Sequence, residues 1–193
     1  MASASPRRKD ILRKIGLEFS IVPAVGVNES RAFSEATGIY EGVKLAAERK
    51  AEEVAKQYKS SLVIGSDTVV LVDGEILFKP VSENSAFDML NKLSGRAHQV
   101  VTGVTLMAGD AGYVNTDTTV TYVYFRHIPE QEIHCYLKNA DYLDKAGAYA
   151  IQEQAAAFVE RIEGCFYNVV GMPVTDTINM LNKFTKETGA IYG

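Results

Sequence analysis

Two long β-type runs, His98 to Met107 and Tyr113 to Phe125, stand almost back to back, with Gly109-Asp110-Ala111-Gly112 between them. Parallel neighbours need a crossover connection of roughly a dozen residues or more. So short a connection does not suit a purely parallel sheet, and a mixed sheet is expected. In the second run Thr119, Thr121, Val123 and Phe125 alternate with Val120, Tyr122 and Tyr124. This period of two is the pattern of a strand with one face buried.

Helical patterns are interleaved with the β runs, which places the chain in the α/β class. Ser5 followed by Pro6 reads as an N-cap and first helical residue, and Gly16 reads as the stop. Leu17 to Val22 reads as a strand and Pro23 to Ser34 as a loop. A longer helix is expected from about Ile39 to Tyr58, with Val43, Ala46, Ala47, Lys50, Ala51, Val54 and Ala55 recurring near helical spacing. Leu62 to Gly65 reads as a short buried strand that ends in Ser66-Asp67-Thr68. Val69 to Val72 and Glu75 to Phe78 flank Asp73-Gly74, a tight hairpin signal. Ser82 caps a further helix closed by Gly95. Pro129 opens another to about Asn139. Asp144 to Gln152 reads as a polar loop, Phe158 to Ile162 as a strand and Pro173 to about Lys186 as the last helix. With no repeat, low-complexity stretch or linker, residues 1–193 read as one domain.

The net charge of -4 argues against coating a nucleic-acid polymer, which favours a basic surplus. No apolar run has the length of a membrane span. Cys135 and Cys165, the two cysteines, make neither a disulfide framework nor a zinc site, so a cytoplasmic setting is expected. His98, His127 and His134 show no metal-ligand spacing.

Several residues suit phosphate chemistry. Ser3, Ser5, Arg7 and Arg8 surround a helix N-terminus, where backbone N–H groups and the helix dipole favour an anion. Hydroxyls donate hydrogen bonds and arginine matches phosphate with a bidentate fork. Taken alone, the same residues also suit an ordinary capped helix start. Asp67 follows a short buried strand, where an acid can hold a divalent metal or accept a proton from water; it equally suits a turn. Glu29 could complete a set of hard oxygen ligands. Lys50 and Lys79 could neutralise phosphate, although lysines are more often simply solvated. Gln152 carries both a donor and an acceptor for a base edge.

Together these residues resemble the Maf family of nucleoside triphosphate pyrophosphatases. The resemblance runs in order through Ser3-Ala4-Ser5-Pro6-Arg7-Arg8, Glu29, Leu45 to Ala51, Gly65-Ser66-Asp67-Thr68, Lys79-Pro80, Leu93-Ser94-Gly95 and Thr102-Gly103-Val104. It continues through Asp144 to Gln152 and Asn168 to Pro173, and so covers nearly the whole chain. It implies an α/β fold related to inosine triphosphatases, with an elongated mixed β-sheet flanked by helices and a central cleft between two lobes. It implies hydrolysis of a nucleoside triphosphate to monophosphate and pyrophosphate with a divalent metal cation, Mg²⁺, Mn²⁺ or Co²⁺. By the same resemblance Asp67 is the proton acceptor, and Lys79 and Glu29 belong with it to the catalytic set. Ser5, Arg8, Lys50 and Lys79 hold phosphates; Arg7, Thr68 and Gln152 set specificity; and Glu29 with Asp67 binds metal.

Ala148-Tyr149-Ala150-Ile151-Gln152 is similar to the branch that prefers dTTP and UTP, with CTP and modified pyrimidine nucleotides as further candidates. The alternatives are a 7-methyl-GTP-type pyrophosphatase and a nucleotide-binding regulator of cell division with little turnover. Gln152 argues against the first, and the intact Asp67, Lys79 and Glu29 set against the second. The implied partner is a nucleoside triphosphate, with no nucleic-acid polymer and no membrane; a homodimer stays open. Four departures from the family pattern stand out. Met1 directly before Ala2 cuts the first strand short, Ser66 replaces the usual alanine, Glu153 replaces the usual glycine, and Val27-Asn28 replaces an acid-rich approach to Glu29.

Overall fold

The computed structural model describes residues 1–191. In chain order its elements are α1 (Pro6–Lys14), α2 (Glu29–Glu35), α3 (Ile39–Ala55), β1 (Leu62–Val72), β2 (Glu75–Leu77) and α4 (Glu83–Leu93). They continue with β3 (Ala97–Ala108), β4 (Tyr113–Phe125), α5 (Glu130–Asn139), β5 (Val159–Glu163), α6 (Phe166–Val170) and α7 (Val174–Thr188). The strands form one sheet in the order β2-β1-β3-β4-β5. β1 pairs with β2 and β4 with β5 in antiparallel fashion, while Ala2 makes a parallel bridge to Gly65. The class is therefore the expected α/β one. No helix among the described residues is long and apolar enough to cross a membrane.

The chain divides into two compact units. One comprises Met1–Asp67, Thr102–Thr119 and the segment from Gly171 onward; the other comprises Thr68–Val101 and Val120–Val170.

The first unit is built on close approach of backbone to backbone. α3 turns a face of Gly42, Val43, Ala46, Ala47, Ala51, Val54 and Ala55 inward. A Cβ on Gly65 of β1 would lie 2.3 Å from the Ala47 carbonyl oxygen and 2.7 Å from the Ala51 nitrogen. A Cβ on Gly103 of β3 would lie 2.7 Å from the Val43 carbonyl oxygen. Strand and helix thus touch through main chain, which small residues alone permit. Ala2, Ala51, Val54, Ala55 and Val63 form a core cluster beside this contact.

Met1 and Ala2 are buried, the Ala2 N–H donates to the Ile64 carbonyl at 2.8 Å, and the Val22 N–H donates to the Met1 carbonyl at 3.1 Å. Leu17 to Val22 is not a strand, contrary to expectation. It meets Met1 through two hydrogen bonds, from the Met1 nitrogen to the Ser20 carbonyl at 2.8 Å and from the Val22 N–H to the Met1 carbonyl at 3.1 Å, without a strand ladder. Glu29 opens α2 rather than lying in a loop. The helix starts there because the Asn28 side chain caps it, accepting from the Arg31 N–H at 3.2 Å.

β1 also differs from expectation. Ser66-Asp67-Thr68 does not end a strand but continues it, so Asp67 lies within one 11-residue strand. In the second unit Asp73 and Gly74 have φ of 50° and 79°, the left-handed pair that a two-residue hairpin turn between β1 and β2 requires. Residues 144–152 form a loop, as expected, with a short 3-10 turn at Ala146–Ala148, but much of it is buried. Lys145, Gly147, Ala148, Tyr149, Ala150 and Ile151 are buried. Gly147 approaches Val70 so closely that a Cβ would lie 3.1 Å from that side chain. The Tyr136 hydroxyl donates to the Ala148 carbonyl at 3.2 Å.

Beneath this segment His98, 2% exposed, shares a 2.7 Å hydrogen bond between its Nε2 and the Tyr149 hydroxyl. It also packs edge-on against Phe125. Its Nδ1 finds no partner among the described residues. Burial pushes its pKa from 6.5 down to about 4.

Two outcomes are expected from this packing. Gly65→Ala should destabilise the protein by about 1–3 kcal/mol, read from denaturant midpoints, because the clash falls on α3 backbone. Gly38→Ala, at an extended α3 cap with nothing within 4 Å, serves as the control. For His98, the unfolded chain binds the extra proton between pH 6.5 and about 4 while the folded one does not. Its contribution is therefore complete above pH 6.5 and is lost as pH falls towards 4, up to roughly 3 kcal/mol. Urea titrations of the wild type and His98→Leu across that window should differ in pH slope by about one proton.

Candidate active site

Side chains on a strand alternate, so Gly65 and Asp67 share one face of β1. Gly65 rests on Ala47 and Ala51 of α3. Two residues further along the same face, Asp67 comes beside Lys50, the neighbour of Ala51 in sequence. The Lys50 Nζ lies 2.6 Å from Asp67 Oδ1 and 2.5 Å from Glu29 Oε1. The lysine and aspartate side chains are only 12% and 7% exposed. Charges so enclosed attract strongly, and removing one of this pair would leave the other without its nearest counter-charge.

α1 supplies the next layer. Ser5 caps it, its hydroxyl accepting a long 3.5 Å bond from the Arg8 N–H. Ser3 Oγ accepts from the Ser5 N–H at 3.2 Å and from Arg8 Nη1 at 3.2 Å. Arg8 Nε donates to the Gly171 carbonyl at 2.8 Å. Arg8 is 8% exposed. Burial lowers its pKa, while the carboxylates of Asp67 and Glu29 raise it and the charge of Arg7 lowers it again. An arginine so placed stays cationic. Ser5, Arg7, Arg8, Glu29, Lys50 and Asp67, drawn from four separate stretches of sequence, are thereby gathered in the first unit.

Glu29 and Asp67 fit a hard divalent cation in donor chemistry. Both present carboxylate oxygen, and both already converge on one positive charge, the Lys50 ammonium. Among the described residues no group of three or more His, Cys, Asp and Glu could hold an ion. Two carboxylates would leave the remaining positions to water and phosphate oxygens, the usual arrangement for Mg²⁺ at phosphate sites.

The second unit holds the other three sequence candidates. Thr68 follows Asp67 on β1 and is half-buried. Lys79 is exposed just beyond β2. The Gly147 N–H donates to the Phe78 carbonyl at 3.2 Å, which ties the Lys79 segment to the one that leads to Gln152. Gln152 is exposed in a turn where the Glu153 N–H donates to the Ala150 carbonyl at 3.1 Å.

A family model described as "Maf-like protein" matches residues 1–184. The chain belongs to this family. The dTTP/UTP pyrophosphatase of Syntrophomonas wolfei is 41% identical to this Maf-like protein over 181 residues, 94% of each chain. That of Symbiobacterium thermophilum is 44% identical over 185 residues, 95% of this chain and 92% of its own. That of Pelotomaculum thermopropionicum is 42% identical over 184 residues, 95% of each.

Two supporting contacts, one in each unit of this Maf-like protein, were not singled out from sequence. The Gly171 carbonyl fixes Arg8 from 163 residues away, and no local pattern signals such a contact. Lys145 is 4% exposed, with its Nζ 2.8 Å from Asp144, 3.7 Å from Glu153 and 3.9 Å from Asp141. It anchors both ends of the segment that carries Gln152. Its signal was available: a lysine amid small residues with acids close by on both sides.

Proposed function

We propose that this Maf-like protein hydrolyses the α–β anhydride of dTTP and UTP, releasing the nucleoside monophosphate and pyrophosphate, with Mg²⁺, Mn²⁺ or Co²⁺ as cofactor. The observation that carries this reading is the buried Asp67 carboxylate, held beside Lys50 and Glu29 and within the electrostatic reach of Arg8. Identities of 41–44% to proteins named dTTP/UTP pyrophosphatases support it.

Asp67 accepts a proton from water as the water oxygen bonds to a phosphorus of the α–β linkage. One P–O bond of the bridge breaks and pyrophosphate departs. Glu29 and Asp67 would hold the divalent cation, which supplies Lewis-acid stabilisation to the phosphoryl oxygens when bound. Ser5, Arg7, Arg8 and Lys50 offset the negative charge of the triphosphate, and Lys79 that of the leaving group. The Gln152 amide oxygen can accept from the N3–H of thymine or uracil while its NH₂ donates to a ring carbonyl. Arg7 and Thr68 complete the specificity set.

Asp67→Asn should lower the rate of pyrophosphate release from dTTP by about 10²–10⁴-fold, the usual range for a lost general base, while nucleotide binding persists. Near wild-type release would remove Asp67 from the role. Gln152→Ala should raise KM for dTTP by roughly tenfold, the equivalent of one good hydrogen bond, with kcat changed less. A panel of nucleotides would then show dTTP and UTP ahead of 7-methyl-GTP; the opposite order contradicts the proposed substrate.

A further inference from the structure

The Lys50 nitrogen touches both proposed metal-binding carboxylates, at 2.5 Å from Glu29 and 2.6 Å from Asp67. An ammonium at hydrogen-bond distance from two carboxylate oxygens stands where a hard cation shared by those oxygens would stand. The Lys50 nitrogen and a divalent ion cannot both occupy that place. Like charges at such separation repel, the more so where the Lys50 and Asp67 side chains are only 12% and 7% exposed. We infer that Lys50 is a placeholder cation. In the nucleotide-free protein it neutralises Glu29 and Asp67, and it yields the place between them when a divalent cation binds. This rests on the metal reading given under the proposed function.

The surroundings give Lys50 reason to stay in the free protein. Without its charge, Glu29 and Asp67 would lose the ammonium that lies within 2.6 Å of both, and the cost falls mainly on Asp67, the more enclosed of the two. Arg8 also feels both carboxylates, and its Nε and Nη1 tie it to the Gly171 carbonyl and Ser3 Oγ. The lysine stem can swing, since it is flexible and ends in a point charge rather than a fixed fork. A triphosphate offers the displaced ammonium new anionic partners. Metal entry and nucleotide entry are therefore coupled through one side chain: each favours the other because together they give both cations a partner. The nucleotide-free protein, in turn, holds divalent metal weakly.

The test is the affinity of nucleotide-free full-length protein for Mn²⁺ alone, read by electron paramagnetic resonance of the free ion. Lys50→Met should bind Mn²⁺ at least about tenfold more tightly than wild type, and adding Asp67→Asn should abolish the gain. Affinity within twofold of wild type, or a gain that survives Asp67→Asn, overturns the inference. A second readout does not need the Met variant to fold. In wild type the Lys50 side-chain ¹⁵Nζ signal, assigned by its loss in Lys50→Arg, should shift on saturation with Mg²⁺. An unmoved signal at saturating Mg²⁺ overturns the exchange. If Mn²⁺ supports dTTP hydrolysis but Lys50→Met binds it no better, the exchange alone fails. If Mn²⁺ binds neither protein, even with a non-hydrolysable dTTP analogue, the metal reading fails with it.

Discussion

The contact between Gly65 of β1 and the Ala47–Ala51 turn of α3 is the constraint on which the site depends. It sets the strand against the helix at main-chain distance, with no room for a single methyl group. Because strand side chains repeat every two residues, that contact fixes where Asp67 points. Because helix positions three and four apart share a face, it also fixes which residue Asp67 meets. The result is a buried aspartate on a lysine, 17 residues apart in sequence, with Glu29 brought to the same nitrogen by the cap of α2. Gly103 repeats the device on the same helix through Val43, so α3 is held to two strands by backbone contact. Small residues give up apolar area to achieve this. What they provide is position.

Position matters because the site concentrates charges that would be costly if misplaced. Three cations, Arg7, Arg8 and Lys50, stand with two carboxylates, and the most enclosed of these groups are directly paired or hydrogen-bonded. The surplus is positive, as an anionic substrate requires, although the chain as a whole is acidic at -4. The second unit is organised on the same principle. Buried Lys145, paired with Asp144 and close to Glu153, fastens the stretch that presents Gln152, and the Gly147–Phe78 hydrogen bond joins that stretch to Lys79.

Local signals were legible in the sequence where the interaction itself is local. The Ser5-Pro6 cap, the Asp73-Gly74 turn, the Ser82 cap and the alternation through β4 all involve neighbours in sequence, and the structure has each of them. The errors have the opposite origin. Ser66-Asp67-Thr68 reads as a break because polar residues rarely run through a buried strand, yet Asp67 is tolerated there by Lys50 of α3. Residues 144–152 read as a polar loop, and their burial was not legible because Lys145 carries its compensation in nearby acids that composition alone counts as polar. The family resemblance named the site residues but not their partners. Lys50, which the resemblance implies holds phosphate, pairs in the structure with Glu29 and Asp67.

The central claim is that this gathering of charges cuts the α–β anhydride of a pyrimidine nucleoside triphosphate. Phosphorus NMR of dTTP incubated with the full-length protein and Mg²⁺ tests it most directly, because it identifies the bond broken. The account predicts dTMP and pyrophosphate in equal amounts, with no orthophosphate. Formation of dTDP with orthophosphate, or dTTP that persists unchanged with each of Mg²⁺, Mn²⁺ and Co²⁺, would contradict it.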